Sequence, residues 1–245
     1  MTYGLGLYLH DGIVLTADTR TNAGVDHVAT VEKISLFQTA GERVMMLASA
    51  GNLATTQAVV TLLNQRLAQP DSPYNLNTAR TMFDAATMVG GVLREVMDTN
   101  AKYVAGYGDA SASFLFAGQI AGGRHRLFQI YSAGNFIEAS ADTPFLQIGE
   151  TKYGKPILDR AMTYGISLSE AVKLTLISFD ATVRSNLSVA PPFDMAVYRR
   201  DSIGPVKARR IPENDDYFHT IRSRYSSSIQ EMVRNLPLND WDECQ

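Results

Sequence analysis

RVMMLASAGNLATTQAVVTLLNQRL, residues 43–67, changes its hydrophobic period midway. Residues 44–50 form a nearly continuous apolar run of strand length, closed by Gly51. Beyond it, Leu53, Val59, Val60, Leu63 and Leu67 share one helical face. Asn52 stands at the switch with a side chain suited to capping a helix N-terminus. Upstream, residues 2–9 and 13–18 flank Asp11-Gly12, a strong two-residue hairpin signal. Residues 28–38 and 43–50 read as a second hairpin, turning near Ala40-Gly41-Glu42.

Downstream the same grammar repeats. A polar loop at residues 69–75 leads to a second helix from about Thr78 to Tyr103. Its Gly90-Gly91 pair lowers helix propensity and allows close packing of another backbone. Strands return at residues 111–120 and 126–131, with shorter ones near 135–139 and 145–148. Pro156 opens a third helix, and Ser167 with Glu170 forms a capping box for a fourth that runs to about Arg184. A last strand is predicted at residues 193–199. Strands, two helices, strands, two helices and a strand imply antiparallel sheets with helices outside them, not βαβ units. Two facing sheets give an α+β, four-layer αββα sandwich. Residues 1–200 form its domain, and residues 201–245 are a C-terminal extension of the same structural unit. That extension carries a helix started by Asp215-Asp216, with Phe218, Ile221, Tyr225, Ile229, Met232 and Val233 on one stripe. The stripe docks on its own subunit or serves as an oligomer contact. Trp241 is expected to be anchored.

Composition narrows the function. The chain has 245 residues, 45% apolar and 19% charged, which excludes disorder, collagen-like repeats and a disulfide scaffold. A net charge of −3 argues against a nucleic-acid partner bound through phosphates. Cys244 is the single cysteine and has no internal partner, in keeping with a reducing compartment. Residues 44–50 are too short to span a bilayer, and MTYGLGLYLHDG lacks the basic start of a signal peptide. A cytoplasmic protein with no membrane partner is expected.

Several motifs fail on inspection. GETKYGK, residues 149–155, fits a phosphate loop until Pro156 removes the hydroxyl that magnesium needs. Ile130 stands where a nucleophile elbow around Ser132 needs glycine. His10, His27, His125 and His219 are scattered without ligand spacing, so no metal and no cofactor is called for. What remains is Thr2, exposed as an N-terminal residue once Met1 is removed. Its α-amine, with a pKa near 8, can take the proton of its own hydroxyl. Pairing about Asp11-Gly12 sets Asp18 opposite Leu5, roughly 10 Å along the strand from Thr2. A bridging group is then needed, and Lys33 is the candidate.

Thr2, Asp18 and Lys33, with Ser49-Ala50-Gly51 before a helix, resemble the β-subunit pattern of the proteasome superfamily of N-terminal-nucleophile threonine hydrolases. The runs Met1-Thr2-Tyr3, ADTRTNAGVD (17–26), GETKYGKPIL (149–158) and RSNLS (184–188) are similar to the bacterial proteasome homologues called Anbu. The resemblance implies a threonine peptidase or amide hydrolase acting within a ring or spiral of its own copies. It implies Thr2 as nucleophile, Asp18 and Lys33 as activators, the Gly51 N–H as oxyanion donor and Ser188 as support for the Thr2 amine. It implies Asn22 as the backbone that pairs with an extended substrate, and Arg20 and Ser49 as further substrate contacts. Glu150 departs from the family pattern, which has serine there, and Ser185 replaces an aspartate. These departures keep a weakly active or inactive scaffold open beside the hydrolase, as well as a small-molecule amidase on the same fold. The sequence assigns no unfoldase or tagging partner.

Overall fold

The computed structural model describes residues 2–23, 27–106 and 108–237. Met1, residues 24–26, Trp241 and Cys244, used in the sequence reading, lie outside them, and of Asn22 only the backbone is described. The first half of the chain forms β1 (Tyr3–Leu9), β2 (Gly12–Asp18), β3 (Arg20–Ala23), β4 (His27–Thr30), β5 (Ile34–Thr39), β6 (Arg43–Gly51), α1 (Leu53–Leu67) and α2 (Met82–Val104). The second half forms β7 (Ala112–Ile120), β8 (Arg126–Ile130), β9 (Phe136–Glu138), β10 (Phe145–Gly149), α3 (Lys155–Ala161) and α4 (Leu168–Ser185). β11 (Phe193–Arg199), β12 (Lys207–Ile211) and α5 (Asp216–Arg234) complete it.

Alternation along the strands builds three apolar layers. Tyr3, Leu5, Leu7 and Leu9 of β1 turn to one face and pack with Leu176 and Phe179 of α4 and Phe218 of α5. From β2, Ile13, Leu15 and Ala17 turn to the other face and meet Val44, Met46 and Ala48 of β6 between the sheets. Met45 and Leu47 of β6 point outward and pack with Phe114 and Phe116 against Val59, Leu63, Val89 and Leu93 of α1 and α2. Each large side chain so buried contributes about 1.5–3 kcal/mol. The first sheet runs β10-β1-β2-β11-β12 and the second β5-β6-β7-β8-β9, every pairing antiparallel. With α1 and α2 on one outside and α3, α4 and α5 on the other, this is the four-layer αββα sandwich. Helix starts follow their caps: Asn52 accepts from Thr55 N–H at 3.1 Å, and Thr81 with Asp84 and Ser167 with Glu170 form capping boxes.

Four expectations need correction. The first hairpin turns at His10-Asp11, not Asp11-Gly12, so Asp18 lies one step past Ala17↔Gly4, not opposite Leu5. Gly12 belongs to the ladder: at φ +152° its Cα backs onto Tyr198 O, where a Cβ would lie 2.0 Å away. Residues 28–38 are not one strand. β4 and β5 are separate, residues 31–33 leave the sheets between them, and β4 pairs with the unforeseen β3. The second helix starts at Met82, because Thr81 caps it and residues 76–78 form a short 3₁₀ turn. Finally, β12 follows β11 as an unforeseen edge strand. In α5, Phe218 is buried while Ile229, Met232 and Val233 are exposed, so its stripe docks only at the N-terminal end.

Candidate active site

At one end of the sandwich β1 begins, β2 ends, β6 ends and β5 begins. Thr2 precedes β1 there and is half-buried. Its carbonyl accepts the Glu150 N–H at 2.7 Å, and the next N–H, of Tyr3, donates to Asp18 Oδ1 at 2.9 Å. The Tyr3 side chain is locked beneath. Gln147 donates to its hydroxyl at 2.9 Å, and that hydroxyl pairs at 2.7 Å with Ser178, which donates on to Gly154 O. Burial pushes the Tyr3 phenol up to about 12, so it remains a neutral strut.

Lys33 stands one residue before β5, in the other sheet, and its carbonyl is held by Ser49 N–H at 3.0 Å. Its ammonium crosses to the first sheet and donates to Thr2 Oγ1 at 2.8 Å, Asp18 Oδ1 at 2.9 Å and Arg20 O at 2.5 Å. Thr2 and Asp18 are therefore joined through Lys33. The pair is withdrawn from water, with Asp18 0% and Lys33 6% exposed. Burial pushes the Asp18 carboxyl up and the Lys33 ammonium down, and each charge opposes the shift of the other. Because Lys33 donates to Thr2 Oγ1, the threonine's own proton points away from Lys33.

Gly51 ends β6 at φ +110°, where a Cβ would stand 2.4 Å from Ser111 O. The neighbouring N–H groups fix its direction. Asn52 N–H donates to Ser111 O on the β7 side, whereas Ser49 N–H donates to Lys33 O on the β5 side. Alternation along an antiparallel ladder then turns the Gly51 N–H to the Lys33 side, beyond the start of β5. A cleft of about 300 Å³ opens there, lined by Thr2, Thr21, Lys33, Ser49, Gly51 and Thr56 among others.

The remaining predicted residues stand around this centre. Asn22 lies in β3, whose one partner among the described strands is β4, so its second edge is free. Arg20 does not line the cleft. Its guanidinium donates to Leu187 O at 2.9 Å. Ser188 is half-buried, and its N–H donates to Asn186 Oδ1 at 2.9 Å. No hydrogen bond joins the Ser188 side chain to Thr2 among the described residues. Glu150, read from sequence only as a departure, is 6% exposed and receives Lys152 N–H and Asn186 Nδ2, each at 2.8 Å. The one carboxylate inside GETKYGK was the signal, but nothing local announced the contact with residue 186.

Among the described residues no group of three or more metal-ligating side chains occurs, and no helix is long and apolar enough to cross a membrane. A proteasome-subunit family model matches residues 3–197. Comparison with curated proteins gives no significant match. Among solved structures, Anbu (ancestral beta-subunit) from Yersinia bercovieri is 44% identical, covers 97% of this chain and 98% of its own, and superposes with a TM-score of 0.92. An Anbu (Gly-1) mutant from Hyphomicrobium sp. strain MC1 is 47% identical, with coverage of 98% and 100% and a TM-score of 0.92. A helical assembly of the Anbu complex from Pseudomonas aeruginosa is 46% identical over 97% and 98%, again at 0.92. Identity of this order along the whole chain, on a shared four-layer sandwich, makes it a member of the proteasome subunit family within its Anbu (ancestral β-subunit) group.

Proposed function

We propose that the chain is a threonine-type amide or peptide hydrolase whose nucleophile is Thr2, freed by removal of Met1. The observation that carries this reading is the Lys33 ammonium shared between Thr2 Oγ1 and Asp18 Oδ1. The Thr2 α-amine takes the hydroxyl proton as Oγ bonds to the substrate carbonyl carbon. Lys33 stabilises the charge gathering on Oγ, and the Gly51 N–H stabilises the carbonyl oxygen as it becomes an oxyanion. The Thr2 α-ammonium so formed then gives that proton to the departing amine as the C–N bond breaks, leaving an ester on Thr2 and the α-amine free again. Water, deprotonated by the same amine, hydrolyses the ester and restores Thr2. An extended substrate pairs along the free edge of β3 by strand addition, with Asn22 supplying backbone groups and Ser49 facing the residue before the scissile bond. Arg20 acts on this substrate strand indirectly, because its bond to Leu187 O anchors the first residue of β3.

Incubation with a peptidyl epoxyketone followed by intact mass tests the reading, because the reagent closes its ring on both the amine and the hydroxyl of an N-terminal threonine. One adduct on a chain lacking Met1, absent in Thr2→Ala, is expected. A chain that lacks Met1 and stays unmodified across a panel of peptides would sink the nucleophile reading. That result would favour a scaffold, the reading suggested by exposed Ser185 standing where the family pattern has a carboxylate. Comparison of short amides with polypeptides separates a small-molecule amidase from a peptidase. Self-association accompanies either role. The Pseudomonas aeruginosa relative is described as a helical assembly, and the exposed apolar end of α5 offers a contact.

A further inference from the structure

Two residues that touch the Thr2 machinery through their backbones use their side chains on one and the same loop. Arg20 offers its carbonyl to Lys33 and its guanidinium to Leu187 O. Glu150 offers its N–H to Thr2 O and its carboxylate to Asn186 Nδ2. Asn186 in turn takes the Ser188 N–H. Further along, Thr19 fixes the same loop with its N–H and its hydroxyl, both on Pro192 O at 3.1 and 2.7 Å. Residues 186–192 are thus tied at several points to the strand ends that hold the nucleophile, and none of Glu150, Asn186 and Ser188 lines the cleft.

We propose that Glu150 is a positioning residue for the nucleophile, and that it acts by clamping residues 186–188 to Thr2. With Thr2 O held by Glu150 and Thr2 Oγ1 held by Lys33, two of the substituents about the Thr2 Cα are fixed, and tetrahedral geometry then fixes the nitrogen. The Glu150 backbone sets the carbonyl, and its buried carboxylate keeps that backbone in place by tying it to Asn186. A buried carboxylate with two N–H donors is held firmly. This inference rests on the Thr2 nucleophile reading.

The test is epoxyketone labelling kinetics on the full chain, separating the maximal rate from the half-saturating concentration. Glu150→Gln keeps the shape but presents an NH₂ to one of the two donors. Loss of geometry near a reacting group costs roughly 10- to 100-fold in rate. The expected result is a maximal rate at least about 10-fold lower with unchanged half-saturation, because the cleft is untouched. Asn186→Ala is expected to lose a similar factor, and the double variant no more than the single ones. Equal maximal rates in Glu150→Gln and the parent, or losses confined to half-saturation, would overturn the clamp while leaving the nucleophile standing. Additive losses in the double variant would overturn it too. A parent chain that never labels would overturn the nucleophile reading, and the clamp with it.

Discussion

Lys33→Met keeps the length of the side chain and removes its charge, and the cost falls on Asp18. That carboxylate is 0% exposed, and its Oδ2 already has no hydrogen-bond partner among the described residues. Without Lys33, its Oδ1 retains the Tyr3 N–H. If Asp18 stays ionised, breaking a buried pair costs about 3–5 kcal/mol. If it instead takes up a proton, the folded chain holds a proton that an unfolded carboxyl near 3.9 does not hold at neutral pH, which costs about 4 kcal/mol at pH 7. The two routes converge on about 4 kcal/mol. The sign of the pH dependence follows. In the variant the folded carboxyl is raised further above its unfolded value than in the parent, so its contribution is fully present below about pH 4 and is lost as pH rises. The gap between variant and parent therefore narrows on acidification, by up to about 1.4 kcal/mol per pH unit. Urea unfolding followed by far-UV circular dichroism at about pH 5 and about pH 8, at equal protein concentration, measures it. A gap below about 1 kcal/mol, or one equal at both pH values, would refute the reasoning. Adding Asp18→Asn to Lys33→Met removes the orphan charge and is expected to restore most of the loss.

Three further outcomes follow from neighbouring contacts. Gly51→Ala places a Cβ 2.4 Å from Ser111 O and 2.8 Å from the Ala112 Cα at a positive φ. A loss of about 2–3 kcal/mol is expected by thermal or urea unfolding, together with slower epoxyketone labelling. Asn52→Ala removes the cap on Thr55 N–H and the bond to Asp109 O at 3.0 Å, so about 1–2 kcal/mol of stability is expected to go. Ile229→Asp with Met232→Asp alters side chains that are 39% and 56% exposed, so monomer stability is expected to move by no more than about 0.5 kcal/mol per site. The mass of the assembly by light scattering is expected to fall, and an unchanged mass would exclude the end of α5 from the contact.

The layers were legible because strand-length apolar runs and helical periodicity come in blocks, and because three of the helices carry their caps in the sequence. Asn52, Ser167 and Asp215 all cap where the sequence places them. Of the Gly90-Gly91 pair, Gly90 packs against another backbone as expected, since a Cβ there would meet Gly134 O at 2.1 Å, whereas Gly91 makes room for a side chain, the Tyr74 ring, at 2.6 Å. Register was harder. Moving the first hairpin by two residues keeps every side chain on its face, so a pattern of faces is blind to it. β12 was invisible because the first four of its five residues, Lys207 to Arg210, are exposed, as an edge strand permits. The break at residues 31–33 hid inside an otherwise strand-like run: Lys33 was legible as the bridge between Asp18 and Thr2, but nothing local announced that the chain leaves the sheets to place it there. Glu150 posed the same problem, since its partner Asn186 lies far along the chain.

The position of the site follows from where ladders stop. A strand end leaves backbone groups without a ladder partner, and a buried group of that kind must find another. Here the carbonyls of Arg20 and Thr2 find the Lys33 ammonium and the Glu150 N–H, while the Gly51 N–H is turned to the cleft. Which residues occupy those ends is decided at the opposite end of the same strands. Gly12 lies against Tyr198 O, an approach that no Cβ permits, and it draws the hairpin turn back to His10-Asp11. With the turn one residue later, Asp18 would face Leu5 and the Tyr3 N–H would miss its carboxylate. With the turn as it stands, Asp18 falls beside Tyr3, and one lysine spans both sheets to join it to Thr2. The glycine stands opposite Leu9, about seven residues of strand from the nucleophile and on the order of 24 Å away, and it acts through register alone.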